Sequence, residues 1–120
     1  MASELRLTTL ANNAGTESVD TTYVINGSAK EWCNFQGTTS TIRDSLNVAS
    51  LTDNGAGDFS VNYTNSMSNS DYSSTTSVEY NSFDGIRSTA TTFRRYAIMN
   101  SGDSYEDRNT FCTQTCGDLA

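Results

Sequence analysis

Three thiols are the first groups in this sequence that could do chemistry: Cys33, Cys112 and Cys116. A cysteine attacks as its thiolate, which a neighbouring imidazole commonly generates. The chain contains no His. That removes a Cys-His pair, a Ser-His-Asp triad and every His-ligated metal site. Cys112 and Cys116 are spaced C-x-x-x-C, with no second pair to complete a zinc site. Two readings stay open: free, partly buried thiols, or a disulfide formed after release into an oxidising medium.

Carboxylates come next. Asp53, Asn54 and Asp58 surround a Gly-rich turn and could be taken for a calcium loop. An EF-hand needs a bidentate Glu at its twelfth position, and Thr64 stands there. A hairpin turn is expected, with an adventitious cation site as the alternative. A glycosidase needs two carboxylates set for acid and base work. Asp84, Asp103, Glu106 and Asp107 are candidates among 14 acidic residues, and no spacing singles out a pair. No catalytic residue, metal or cofactor is therefore expected. The C-terminal half is richer in Arg and Tyr, residue types enriched at binding hot spots. Arg94, Arg95, Tyr96 and Tyr105 are read as a partner-facing surface; pairing of the Arg side chains, Arg87 included, with the acidic excess is the alternative.

The elements that must position these groups read as strands. Glu4-Leu5-Arg6-Leu7 alternates, and Leu10 breaks the phase before the turn at 11–16. Tyr23-Val24-Ile25 is a short β-rich run ended by Asn26-Gly27. Residues 29–35 predict a strand with Trp32 and Asn34 on one face and Glu31, Cys33 and Phe35 on the other. Residues 41–52 predict a longer strand, with a shift in apolar phase that implies a bulge near Ala49 or Ser50. The clearest signal is a hairpin over 46–64: Asn54, Gly55 and Gly57 turn the chain, and Phe59, Val61 and Tyr63 alternate with polar residues. Residues 72–80 predict a strand with Val78 and Tyr80 on one face, 81–85 a turn, 86–99 a strand or pair, and 107–116 the last strand. About eight short strands at this spacing predict an all-β fold, an antiparallel β-sandwich or barrel.

Composition agrees. Ser, Thr and Asn make 47 of 120 residues, against only 15 Val, Ile and Leu. Charged residues are 18%, so this is not the composition of a charged disordered tail. Net charge is −7, which argues against nucleic acid and anionic membranes as partners. No apolar run is long enough to span a bilayer as a helix, so no membrane insertion is expected. Met1 to Arg6 lacks the basic and apolar regions of a signal peptide, which predicts synthesis in a cytoplasm. So few aliphatic side chains make a thin core, and thin cores are commonly supplemented by partners. Leu5, Leu7 and Leu10 are read as a docking or inter-subunit strand; an edge strand of the monomer's own sheet is the alternative.

Three blocks carry a family resemblance. Residues 3–16 begin Ser-Glu-Leu-Arg-Leu-Thr-Thr-Leu; residues 26–37 contain Asn-Gly-Ser-Ala-Lys-Glu-Trp; residues 42–63 contain Thr-Asp-Asn-Gly-Ala-Gly-Asp. Together they resemble tail-fibre and spike-type virion proteins of tailed phages, marine and cyanobacterial ones in particular, over about half the chain. The resemblance implies a β-rich homotrimer in the virion, without enzymatic activity. Other virion proteins of tail or capsid, and a host-surface glycan or protein, are the partners it implies. Such blocks often end long proteins, whereas here Met1 stands just before the first block. A short fibre, knob or capsid decoration subunit is thus expected, and a glycan-cleaving tailspike is the third reading. The expected layout is an attachment or trimerisation segment over residues 1–22 and a jelly-roll-like sandwich over 23–120.

Overall fold

A computed structural model describes residues 3–79 and 82–120, with Phe83 as backbone alone. Two three-residue strands, β1 (Thr9–Ala11) and β2 (Ser18–Asp20), pair as an antiparallel hairpin, and a helix, α1 (Thr21–Gly27), follows. Eight further strands form the body: β3 (Ala29–Gln36), β4 (Thr41–Leu46), β5 (Val48–Asp53), β6 (Asp58–Tyr63), β7 (Ser73–Val78), β8 (Ser82–Thr89), β9 (Phe93–Asn100) and β10 (Phe111–Cys116). They make two antiparallel sheets, ordered β4-β3-β10-β7 and β5-β6-β9-β8. The antiparallel sandwich is the expected one. The pairs β3-β4, β5-β6 and β8-β9 are hairpins within one sheet, and the other four connections between consecutive strands pass from one sheet to the other.

Alternation builds the core. Cys33 and Phe35 of β3, Phe59, Val61 and Tyr63 of β6, Tyr96 and Ile98 of β9, and Phe111 of β10 all point between the sheets. The rings of Phe35 and Phe59 lie 5.2 Å apart across the two sheets, and those of Tyr96 and Phe111 5.6 Å, within the range that tilted aromatic pairs favour. Two corners fix the layout. At Asn47 the backbone enters the left-handed region (φ 57°) and the chain leaves one sheet for the other. Its side chain accepts from Asn65 N at 2.7 Å and donates to Asn65 O at 3.1 Å, which satisfies backbone groups freed by the break. The register then slips between Val48 and Ser50, where the bulge was expected. At the hairpin, Gly57 has φ 61° and lies against the Ile98 carbonyl.

Three local expectations are corrected. The strand expected over 41–52 is two, β4 and β5, which part at Asn47 into different sheets. Tyr23-Val24-Ile25 is helical rather than extended. Asp20 caps the helix by accepting from Thr22 N at 2.7 Å, and that local bond prevails over a weak β propensity. The expected turn over 81–85 is strand from Ser82 onward. Tyr80 and Asn81 lie outside the described residues.

The molecule is elongated. Its extents are 53 × 32 × 25 Å and its radius of gyration is 17.2 Å, against about 14 Å for a compact domain of this length.

Candidate functional site

The hairpin and helix that precede the sandwich carry an apolar surface that the chain itself does not cover. No residue from 3 to 28 is buried. Leu5 is 82% exposed, Tyr23 76% and Ile25 59%; Leu7, Leu10, Val19 and Val24 are all above 40%. Thr21 Oγ1 donates to the carbonyls of Leu7 and Thr8 at 2.9 and 3.1 Å, which ties the lead segment to the start of α1. The result is an open groove of about 450 Å³ between the lead segment and the helix, floored by Leu5, Leu7, Leu10, Val24 and Ile25. An ion pair between Arg6 and Glu4 at 3.1 Å marks its rim. The three predicted leucines thus share one surface, but not one strand: Leu10 lies in β1, whereas Leu5 and Leu7 precede it outside any strand. Val19, Tyr23, Val24 and Ile25 were not read as part of it; Asp20 before an apolar run ending at Gly27 is the helix signal that would have placed the last three. The helix also crosses the expected boundary at residue 22.

The predicted Arg/Tyr surface does not exist as a unit. Arg94 and Tyr96 share the inward face of β9 with Ile98 and are 7% and 0% exposed, so neither can face a partner. Arg94 is accommodated because its guanidinium stacks 4.8 Å from the Tyr72 ring centroid and donates to the Tyr72 carbonyl at 3.1 Å. Arg95 points outward and is held by Asp58 through bonds of 2.7 and 2.6 Å. Arg87 pairs with the same carboxylate and lies 4.9 Å from the ring centroid of Tyr105, itself half exposed. Hydrogen bonding by Arg95 holds the Asp58 carboxyl below its usual range. These contacts are the pairing of Arg with acidic excess that was the alternative reading.

Between the sheets lies a polar cluster. Glu31 is fully buried; Thr113 Oγ1 donates to its Oε1 at 2.6 Å, and its Oε2 has no partner. Arg94 Nε and the Tyr96 hydroxyl are likewise buried without partners. Burial raises the Glu31 carboxyl, and it pushes the Tyr96 hydroxyl and the Cys33 thiol each up to about 12. A thiol held in that state is a poor nucleophile.

Geometry also rejects an intrachain disulfide in this fold. Cys33 faces the core, whereas Cys112 and Cys116 lie on the outer face of β10, four residues apart. Four residues of strand span about 13 Å, and a disulfide needs Cα atoms within about 7 Å. All three thiols are free. Around the β5-β6 turn, Asp53 accepts from Ser40 Oγ at 2.6 Å and from Gly55 N at 2.9 Å, while Asp58 is taken by the two arginines. The turn's carboxylates thus serve the hairpin. Among the described residues no three of Cys, Asp and Glu gather as a metal site.

The chain matches no family model, no curated protein and no solved structure.

Proposed function

We propose that this chain is a non-enzymatic structural protein of a phage particle, a homotrimeric β-sandwich that attaches through its N-terminal hairpin and helix and serves adhesion. The observation that carries this reading is the uncovered apolar surface of residues 5–25. Burying a Leu side chain is worth about 1.5–3 kcal/mol, and in a trimer every such contact occurs three times. The elongated shape supports the reading, because a projecting module is free to meet its copies while the sandwich stays outward. The resemblance of residues 3–16, 26–37 and 42–63 to tail-fibre and spike-type proteins supplies the setting. Weak contacts made by each sandwich would then be multiplied by trivalency.

Sedimentation at micromolar concentration with a chelator present tests the assembly. The expected mass is about three times the 13.0 kDa of the chain. A compact monomer overturns the trimer. Immunogold labelling of particles made from the genome that encodes the chain tests the setting. Label on the tail supports a fibre or knob, label across the capsid supports a decoration subunit, and label on neither overturns the virion reading.

A further inference from the structure

The outer faces of the two sheets differ. On the face of β5-β6-β9-β8 the polar side chains satisfy one another: Asn62 donates to Ser50 Oγ and Thr52 Oγ1 at 3.0 and 2.9 Å, Asn54 to Ser60 Oγ at 2.9 Å, and Asp58 takes both arginines. On the face of β4-β3-β10-β7, strand register sets Leu46, Trp32, Gln114 and Thr75 in one row. Cys112 and Ser77 are opposite each other in the next row. The side chains of Trp32, Gln114, Thr75 and Ser77 make no hydrogen bond within the described chain. A shallow depression of about 150 Å³ opens between β7 and β10, lined by Gln114, Thr75, Cys112 and Ser77, and Trp32 stands on its β3 side as the cross-strand neighbour of Gln114.

We propose that this face binds a neutral glycan, with Trp32 as the stacking platform and Gln114, Thr75 and Ser77 as the hydrogen-bonding groups. The indole presents a negative π-face that suits the C–H side of a pyranose ring. The Gln114 amide both donates and accepts, as a sugar hydroxyl requires of its partner, and the Thr75 and Ser77 hydroxyls do the same. Gln114 and Thr75 lie about 5 and 10 Å from Trp32 across the strands, within reach of the stacked ring and its neighbour. Charge selects the ligand class. The rows carry no charge between Trp32 and Thr75; at the rim lie Asp44, Lys30, which donates to the Ser28 carbonyl at 3.1 Å, and Arg43, which donates to the Asn109 carbonyl at 2.7 Å. The chain's net charge of −7 opposes the approach of an anionic ligand. The inference goes beyond the assembly reading and does not depend on it.

Trp32 is the only Trp in the chain, so its fluorescence reports this face without any label. The full-length protein is titrated with neutral gluco-, manno- and galacto-oligosaccharides, and with an oligomer of hexuronic acid as the charged counterpart. The expected result is a saturable change in Trp emission with at least one neutral oligosaccharide and none with the hexuronate. Gln114→Ala should weaken the interaction about three- to tenfold, and Trp32→Ala, followed by calorimetry, about tenfold or more. Ser88→Ala, on the other sheet, should leave it unchanged. No saturable change with any neutral sugar at millimolar concentration overturns the proposal, as does equal or tighter binding of the hexuronate. Undiminished binding by the Gln114 and Trp32 variants also overturns it. Sedimentation of the same samples reports assembly separately, so a failed titration leaves the trimer reading standing or falling on its own test.

Discussion

Glu31 illustrates what one residue costs and does in this fold. Its carboxyl shares the inward face of β3 with Cys33 and Phe35, and burial raises it above its ordinary value of 4.5. Thr113 and Arg94 oppose that rise only in part, and the other ionisable groups around it are Cys33, Tyr63, Tyr72 and Tyr96. A carboxyl raised in the folded state binds its proton more tightly there than in the unfolded chain. Its contribution to stability is therefore complete below pH 4.5 and lost as pH rises through the folded value. Glu31→Gln keeps the shape and an acceptor for Thr113 while removing the charge. Calorimetry should find the variant melting about 3–6 °C above wild type at pH 7, with the gap closing toward pH 4.5. Parallel melting curves at every pH would show that Glu31 does not titrate in the core. Parity in the sequence already put Glu31 opposite Trp32, and the same parity put Arg94 with Tyr96 and Ile98. The misplaced Arg94 and Tyr96 came from residue type being allowed to outweigh alternation. An Arg with a ring to stack on and a carbonyl to reach can be an inward residue.

Among the elements, the β5-β6 hairpin is the most constrained. A Cβ at Gly57 would lie 2.2 Å from the Ile98 carbonyl oxygen and 2.6 Å from the Glu106 backbone nitrogen, at a positive φ. Gly57→Ala should destabilise the fold by at least about 3 kcal/mol, read as a lowered midpoint in urea with an unchanged slope. The N-terminal hairpin and helix obey a different rule, since their apolar side chains stay exposed and none enters the sandwich core. The double variant Leu5→Asp, Leu7→Asp should keep its β circular-dichroism signal and lose trimer mass on sedimentation. A variant that still forms trimers would remove those leucines from the interface. Elements whose signal is local were legible in the sequence: the Asn54-Gly55 turn, the Phe59-Val61-Tyr63 face and the bulge at Ala49. Elements decided by a competition were less so. The helix at Thr21–Gly27 depends on one capping bond from Asp20 set against the β-branched Val24 and Ile25. The binding face around Trp32 was legible only as an alternation, because its Gln114 and Thr75 arrive from strands more than 40 residues away in the chain.

For the whole molecule, the governing feature is that β3 and β10 are neighbours at the centre of one sheet, so that Thr113 meets Glu31 across 82 residues of chain. A fold closed by strands so far apart in the chain has high contact order and folds slowly, in milliseconds to seconds rather than microseconds. A chain stopped before Phe111 loses the strand that joins β3 to β7. Expressed alone, residues 1–110 should give no cooperative melting transition by calorimetry; a sharp one would show that the remaining strands suffice. The same feature sets an order of events on the ribosome. The apolar hairpin and helix emerge before β10, which follows on the order of ten seconds later at ordinary translation speeds. During that interval the nascent chain presents the exposed apolar side chains of its hairpin and helix and a sandwich that cannot yet close. Neighbouring nascent chains on one message carry the same exposed segment at high local concentration, so the subunits of the proposed trimer would meet before any of them has folded.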